Sequence, residues 1–278
     1  MPAPAFSKLK SAITISLVPQ ARGGPFVFWD DLREGCATAA KLGFDAVEIF
    51  APSAETLRAA NLKRLLQEHN LKLAALGTGG GWVLHKLHLT QSDPAARKQA
   101  RAFILSILEV AAEHGAQAII GSMHGRVEPG STRAETINLL TEALAELDVA
   151  AGRLGAGLLL EPVNRYETNF LTSVVDTAQI IREAGTKQIR VLADLFHMNI
   201  EETSITGALE QLGPLLGHVH LADSNRRAAG AGHLDYAPIM HSLRKINYTG
   251  YLSGEVLPLP DSESAARQQV ETFRKLVV

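Results

Sequence analysis

The sequence predicts a single (β/α)8 TIM barrel, and three observations lead to that prediction. Short apolar runs alternate with longer stretches of helical periodicity, and this alternation occurs eight times along the chain. The runs are almost continuously apolar, which is typical of strands buried on both faces of a parallel sheet. The chain has 278 residues, a length at which eight such units commonly close as one domain. We therefore expect residues 1–278 to form one TIM-barrel domain.

The eight predicted strands are short segments bounded by loop residues or glycine. They occupy residues 11–17, 44–50, 71–77, 116–122, 156–162, 187–194, 215–223 and 250–256. Parallel strands need long crossover connections, and a helical stretch follows each of these segments. An open, doubly wound sheet is the alternative, but it predicts a Gly-rich phosphate turn after the first strand. The segment LVPQARGGP does not fit such a turn.

The predicted helices begin and end at recognisable signals. Ser53 is a suitable N-cap for the second helix, and Glu55 lies in its first turn. Helices are predicted over residues 30–43, 53–70, 93–115, 132–155, 173–185, 206–213, 235–246 and 262–277. Residues 78–92, after the third strand, are expected to form a long loop.

Composition argues against several classes of protein. A formal net charge of −2 and a pI near 6.6 do not suit a protein that neutralises nucleic-acid backbones. The lone cysteine, Cys36, favours a reducing compartment, and its setting predicts a buried structural thiol. No segment approaches the roughly 20 apolar residues of a membrane span, and no signal peptide is recognisable. We therefore expect a cytoplasmic protein without nucleic-acid or membrane partners.

Chemistry-bearing residues follow four successive strands, the fifth to the eighth. Glu161, Asp194, His220 and Glu255 each fall at the carboxyl end of one of them. A barrel places these ends around one mouth, and three crowded carboxylates would repel one another unless a cation held them. Three carboxylates and one imidazole suit Mn²⁺, with Mg²⁺ or Co²⁺ as alternatives, better than a structural zinc. The sequence therefore predicts a divalent-metal site.

Further polar residues accompany these strand ends. His197, three residues after Asp194, is open to three roles: substrate donor, additional ligand, or a group that supports a ligand. His218 precedes His220 by two residues, so both side chains face the same way and His218 should lie one layer below the mouth. Arg226 could clamp a hydroxyl, carboxylate or phosphate, whereas Arg227 is expected at the surface.

The loops after the third and fourth strands supply weaker candidates. Trp82 could form an apolar wall over a substrate, and His124 could contact a substrate. His85 and His88 are expected to be solvated. The glycine run after Thr78 lacks the Lys-Ser/Thr of a nucleotide-binding loop, so a flexible loop is expected there.

The segments EPVNRYETNF, DLFHM and HVHLADSNR, together with Glu255, resemble the sugar phosphate isomerase/epimerase superfamily of xylose-isomerase-like barrels. The likeness is greatest to ketose 3-epimerases of the tagatose/psicose type, with hydroxypyruvate isomerase and inosose dehydratase as relatives. The resemblance implies that Glu161, Asp194, His220 and Glu255 bind the metal. It also implies that Glu161 and Glu255 act as acid and base, and that Glu167, His197 and Arg226 hold substrate oxygens.

The chemistry of a keto-sugar explains why such residue types are needed. A C–H group beside a ketone is too weak an acid for a carboxylate alone, so a metal must stabilise the developing cis-ene-diolate. Glutamates on opposite faces of that intermediate could remove a proton from one side and return it on the other. We expect a metal-dependent isomerase or epimerase acting on a keto-sugar or a small hydroxy-keto acid, as a homodimer or homotetramer.

Three other functions stay open at this point. The same site could release a β-hydroxyl, as in an inosose dehydratase-like lyase acting on keto-sugars. The DxxH and HxxDS patterns are also shared with zinc-dependent abasic-site endonucleases, although the near-neutral pI argues against DNA binding. A sugar-binding barrel without catalysis is the third, and the retained glutamates argue against it.

Overall fold

The computed structural model describes residues 9–277, and these form a closed parallel β-barrel surrounded by helices. Strands follow one another around the barrel in chain order, and the first pairs with the last, with Lys10 opposite Tyr251. The predicted (β/α)8 barrel is therefore confirmed. The predicted domain of 1–278 includes residues 1–8 and 278, which lie outside the described residues.

Eight strands build the barrel, and a two-residue strand, β2, pairs outside it with β1. The strands are β1 Lys10–Ser16, β2 Phe28–Trp29, β3 Ala46–Phe50, β4 Lys72–Gly77, β5 Gln117–Ile120, β6 Leu158–Leu160, β7 Ile189–Asp194, β8 Leu216–His220 and β9 Tyr251–Gly254. The helices are α1 Leu32–Leu42, α2 Ala54–Ala59, α3 Leu62–Glu68, α4 Gly80–His85, α5 Pro94–Glu113, α6 Arg133–Leu154, α7 Val174–Glu183, α8 Leu195–Glu201, α9 Ile205–Leu212, α10 Tyr236–Lys245 and α11 Ser262–Leu276.

Local sequence signals fix where the helices begin and end. Thr132 and Glu135 form a reciprocal capping box at the start of α6, satisfying two backbone N–H groups. At the end of α1, Gly43 takes a left-handed conformation with φ of 83°, which costs glycine little. Ser53 caps α2 by accepting a hydrogen bond from the Thr56 N–H, as predicted. Within residues 9–277, no helix is long and apolar enough to cross a membrane.

Three connections differ from the prediction. The helix predicted over 53–70 is broken into α2 and α3, because Asn61 adopts a left-handed conformation with φ of 50°, which asparagine tolerates. The loop predicted over 78–92 contains α4, so the glycine run after Thr78 leads into a helix. The sixth connection holds two helices, α8 and α9.

The core has an outer layer and an inner filling. The outer layer lies between strands and helices and includes Cys36, which is buried as predicted; burial raises the pKa of its thiol to about 12. A separate cluster comprises Ala75, Ile119, Leu159 and Leu192, on β4 to β7. Leu159 and Leu192 precede Glu161 and Asp194 by two residues, so they point the same way along their strands. These apolar side chains thus form the part of the layer below the mouth that β4 to β7 contribute.

Candidate functional site

The four residues predicted to bind metal come together at the mouth of the barrel. Glu161 follows β6 and Glu255 follows β9, while Asp194 and His220 are the last residues of β7 and β8. One ligand atom from each lies within 4.8 Å of the others. The parallel strands explain this convergence, since their carboxyl ends meet at one rim. We call these residues the four-residue cluster.

The atoms that face one another in the four-residue cluster are polar, and three of the four are buried without a hydrogen bond. His220 Nδ1 lies 3.3 Å from Glu161 Oε1, 3.5 Å from Asp194 Oδ2 and 3.6 Å from Glu255 Oε2. The first three of these four atoms have no hydrogen-bond partner among the described residues. Unpaired buried polar atoms are costly, and a bound cation would satisfy all three at once. The donor set therefore fits a hard divalent ion such as Mn²⁺, Mg²⁺ or Co²⁺.

Glu48, a residue that the sequence interpretation did not single out, supports the cluster from below. It lies on β3 and is buried. Its Oε1 accepts a hydrogen bond from His220 Nε2 at 3.1 Å, and its Oε2 pairs with His218 Nε2 at 2.9 Å. Because the Nε2–H of His220 is donated to Glu48, the Nδ1 lone pair is left for a metal. The available signal was a lone carboxylate within the apolar strand AVEIF.

Electrostatic coupling between these groups changes their proton affinities. Burial alone would raise the pKa of Glu48, but the charges and hydrogen bonds of His220 and His218 outweigh it and hold the pKa well below its usual value. Burial would lower the pKa of His220, yet the carboxylates of Glu48 and Glu255 raise it well above the usual value. In the metal-free protein, the His220 proton therefore supplies positive charge among the carboxylates.

Glu255 has the proton affinity expected of an acid–base group. Burial and the neighbouring carboxylates of Glu161 and Asp194 raise its pKa to about 8, against the opposing charges of His220 and Arg226. A carboxyl group with a pKa near neutrality can both take up and release a proton at physiological pH. This pKa describes the site without a cation, and a divalent ion bound to Glu255 would lower it.

Arg226 and Glu167, both predicted to contact substrate, lie above the four-residue cluster. The Nη1 of Arg226 donates to Glu167 Oε1 at 2.8 Å, and its Nη2 donates to Glu255 Oε2 at 3.1 Å. The guanidinium also lies 4.9 Å from the centre of the Phe196 ring. These contacts fix a cation at the edge of the cavity, where it can reach substrate oxygens.

His197 is the third predicted substrate contact, and Asn164 orients it. The backbone N–H of Asn164 donates to His197 Nδ1 at 3.2 Å, and its side-chain nitrogen lies 2.8 Å from the same atom. With Nδ1 acting as acceptor, Nε2 carries the proton. That atom lies 3.8 Å from Asp194 Oδ2, at the border of the four-residue cluster. Asn164, in the segment EPVNRYE, was not predicted to have this function.

The seventh loop is held by Asp223. Its carboxylate accepts hydrogen bonds from the backbone N–H groups of Ser224, Gly230 and Leu234 at 2.7 to 3.1 Å. Its carbonyl accepts from the Arg226 N–H at 2.9 Å. Arg226 itself has a left-handed backbone with φ of 59°, which the surrounding loop must enforce. Asp223 therefore sets the position from which the Arg226 side chain enters the cavity.

Two adjoining spaces occupy the mouth. The main cavity, of about 270 Å³, is lined by Glu161, Glu167, His197, Arg226 and Glu255 and is walled by Phe26 and Phe50. The side chamber, of about 220 Å³, is lined by Trp82, Ser122, His124, Gly125, Arg126, Val163, Glu167 and Thr168. The predicted contacts Trp82 and His124 thus lie in the side chamber, beside the four-residue cluster rather than over it. Of the two loop histidines, His85 is exposed as expected, but His88 is buried.

Comparison with known proteins identifies the chain's relatives. A family model described as "Xylose isomerase-like TIM barrel" matches residues 36–276. A D-psicose 3-epimerase from Agrobacterium fabrum is 32% identical, over 76% of this chain and 74% of that protein. A 3-dehydro-D-guloside 4-epimerase from Escherichia coli is 30% identical, over 81% of this chain and 87% of that protein. The crystal structure of a D-allulose 3-epimerase from Methylomonas sp. matches with a TM-score of 0.81 and 25% identity, covering 99% of this chain and 100% of that one.

These findings confirm the resemblance expected from the motifs between Glu161 and Glu255. Curated relatives of this chain are epimerases, which supports the predicted class of enzyme, an isomerase or epimerase. The match extends over the whole barrel, including its first half. The chain therefore belongs to the xylose isomerase-like TIM barrel family.

Proposed function

We propose that this protein is a divalent-metal-dependent sugar epimerase that inverts a carbon beside the ketone of a keto-sugar. The observation that carries this proposal is the four-residue cluster, in which three buried polar atoms lack partners and face one another. The ketose 3-epimerases among the relatives support the choice of substrate class. Mn²⁺ is our proposed metal, with Mg²⁺ or Co²⁺ as alternatives, because the donors are three carboxylates and one imidazole.

The metal would be held by Glu161, Asp194, His220 and Glu255. When bound, a divalent ion stabilises the negative charge that develops on substrate oxygens as the C–H proton leaves. Glu48 fixes the ring of His220 so that Nδ1 points into the cluster. A carboxylate that bonds the far nitrogen of a ligating histidine is a common way to orient such a ligand.

The proton transfers are proposed for the two glutamates. One, as a carboxylate, takes the proton from the substrate carbon, and the other, as a carboxylic acid, gives a proton to the opposite face of the same carbon. Glu255, which lines the main cavity at the end of β9, is one proposed acid–base group. Glu161, which follows β6, is the proposed partner on the other face. The carbon is left with inverted configuration, and the two glutamates exchange protonation states.

Substrate oxygens are proposed to be held by Arg226, His197 and Glu167. Arg226 offers guanidinium N–H donors at the cavity edge, and His197 Nε2 lies beside them, 3.4 Å from Arg226 Nη2. Glu167 can accept from a hydroxyl while it remains paired with Arg226 at 2.8 Å. Fixing several oxygens at once places the reacting carbon between the glutamates, and such positioning contributes strongly to rate.

One experiment tests the proposal and its alternatives together. Mn²⁺-loaded protein is incubated in D₂O with a panel of ketoses and hydroxy-keto acids, and NMR follows deuterium entry and product formation. Deuterium at the carbon beside the ketone, together with the epimeric product, is the expected result. Loss of a hydroxyl would identify the lyase alternative. Absence of deuterium exchange, with cleavage of abasic DNA by a three-zinc protein, would replace the proposal with the endonuclease.

Three further predictions complete the proposal. Residues 1–278 are proposed to form a single catalytic domain, and a cytoplasmic location stays a prediction. The assembly is predicted to be a homodimer or homotetramer, which analytical ultracentrifugation would measure.

A further inference from the structure

The side chamber adjoins the main cavity and shares Ser122, Val163 and Glu167 with it. A substrate held at the four-residue cluster could therefore extend from one space into the other. The loops after β4, β5 and β6 enclose the chamber, and at about 220 Å³ it can accommodate one end of a sugar chain with its substituent.

His124 is a buried polar group in the wall of the chamber that has no partner. Its side chain is fully buried, and neither ring nitrogen has a hydrogen bond to any residue within 9–277. The Gly125 carbonyl lies nearby and favours the protonated ring slightly, but burial dominates and lowers the pKa of His124 to about 3. The ring is therefore neutral, with one donor and one acceptor available. Unsatisfied buried groups of this kind commonly mark the place of a ligand or a bound water.

Arg126 supplies a positive charge to the same chamber. Its guanidinium lies 4.3 Å from the centre of the Trp82 ring, in stacking contact. Within the part of the chain that the structure describes, that guanidinium has no hydrogen bond and no carboxylate partner. Its backbone is fixed independently, because Thr90 Oγ1 bonds both the N–H and the carbonyl of Arg126. The cation is thus held in place, with its donors free.

The acidic groups around the chamber are engaged elsewhere. Glu128 accepts a hydrogen bond from the Ser92 N–H at 2.7 Å and lies 3.5 Å from His88 Nε2. Glu167 is paired with Arg226. Lys86 lies 5.2 Å from the Trp82 ring but is not among the residues that line the chamber. Because Glu167 is paired with Arg226, Arg126 is the charged group lining the chamber that has no carboxylate partner among the described residues, and it suits an anion.

We propose that the side chamber binds an anionic group of the substrate, a carboxylate or a phosphate, at the end remote from the reacting carbons. The inference rests on the proposed function and narrows its substrate class to acidic keto-sugars. Arg126 donates charge-assisted hydrogen bonds to the anion, His124 donates one more, and Trp82 keeps the guanidinium in position.

A turnover experiment tests the preference with three ketoses that differ only at carbon 6: D-fructose, D-fructuronate and D-fructose 6-phosphate. With Mn²⁺-loaded protein in D₂O, one of the two acidic ketoses should show a kcat/KM for deuterium entry about tenfold or more above that of D-fructose. Arg126→Met retains the apolar stem and should reduce that ratio about tenfold. Lys86→Met, which removes the other cation beside Trp82, should leave the ratio unchanged. A ratio near one in the unaltered protein would overturn the inference and leave the proposed function intact.

A binding experiment separates the chamber from the reaction. Calorimetry compares D-gluconate with D-glucitol, two molecules without a ketone that differ at one end by a carboxylate against a hydroxymethyl group. D-Gluconate should bind about tenfold more tightly, and Arg126→Met should abolish the difference. If the difference survives in that variant, the carboxylate binds elsewhere and the inference is wrong. If no ketose exchanges deuterium but this preference depends on Arg126, the proposed reaction fails while the anion site stands.

Discussion

The two halves of the barrel contribute different kinds of polar residue. The second half, from β6 to β9, supplies the four-residue cluster, whose facing atoms largely lack partners. In the first half, Glu48 on β3 uses both carboxylate oxygens in hydrogen bonds to histidines of the second half. Three of the atoms proposed to bind metal thus lack a hydrogen bond, whereas both carboxylate oxygens of the supporting residue Glu48 have one.

The residues proposed for chemistry and the residue that supports them also lie at different depths within the barrel. The cluster residues lie at or just beyond the ends of their strands, whereas Glu48 lies within its strand and reaches His218, one layer lower. A reacting group needs access to the cavity, and a supporting group needs rigidity. We expect changes in the second half to affect turnover most, and changes in the first half to affect metal affinity, specificity and stability.

The largest effect is expected from Glu255→Gln. Removing the proposed acid–base group should lower the rate of deuterium exchange at least about 10³-fold, because amides do not transfer protons in this way. Circular dichroism should show an unchanged fold. Glu263→Gln, an exposed change on α11, is the matched control and should exchange at the normal rate. Near-normal exchange by the Glu255 variant would remove it from the proposed acid–base pair.

Removal of the metal is expected to abolish turnover in a reversible way. Metal analysis of purified protein should find about one divalent ion per chain, because the described residues contain one cluster with unpartnered donor atoms. Dialysis against a chelator should stop deuterium exchange, and added Mn²⁺ should restore it. Three zinc ions per chain would contradict the single-metal site.

Glu48→Gln tests the supporting role of the first half. An amide cannot accept the His220 proton with the strength of a carboxylate, so Mn²⁺ affinity should fall about 10- to 100-fold. Calorimetric titration of Mn²⁺ measures this directly, without reference to turnover. His218→Gln should have a smaller effect, because the hydrogen bond of the His218 ring goes to Glu48, and its contact with His220 is an edge-on ring contact. Equal affinities in the Glu48 variant and the unaltered protein would show that the cluster does not need this support.

The smallest effect concerns stability in the loops of the first half. Burial lowers the pKa of His88 to about 4 and that of His124 to about 3, from 6.5. At pH values between each folded pKa and the unfolded value of 6.5, the unfolded chain binds a proton that the folded chain does not. The free energy of unfolding therefore rises with pH and falls as the pH falls. From pH 7 to pH 5 each histidine should lower the free energy of unfolding by at most about 2 kcal/mol. Urea unfolding of His88→Gln should show a shallower pH dependence; an identical slope would contradict the assignment.

Sequence patterns predicted the second half well because its signals are local. A strand followed at once by an acid or imidazole can be recognised within a few residues, as at Asp194 and His220. The sequence does not reveal the role of Glu48, because its hydrogen-bond partner His220 is 172 residues away in the chain. Only closure of the barrel brings the two residues together. The burial of His88 likewise depends on packing between loops that are distant in sequence. The helix break at Asn61 depends on the left-handed conformation of that single residue.

The atoms of the four-residue cluster that lack hydrogen bonds also affect the stability of the folded protein. Buried polar atoms without hydrogen bonds weaken the metal-free fold, and a cation that binds only the folded state strengthens it. At a free metal concentration of one hundred times Kd, such binding adds about 2.7 kcal/mol to the free energy of unfolding. The same residues that are proposed for catalysis would thus link the lifetime of the folded enzyme to the supply of metal in its surroundings.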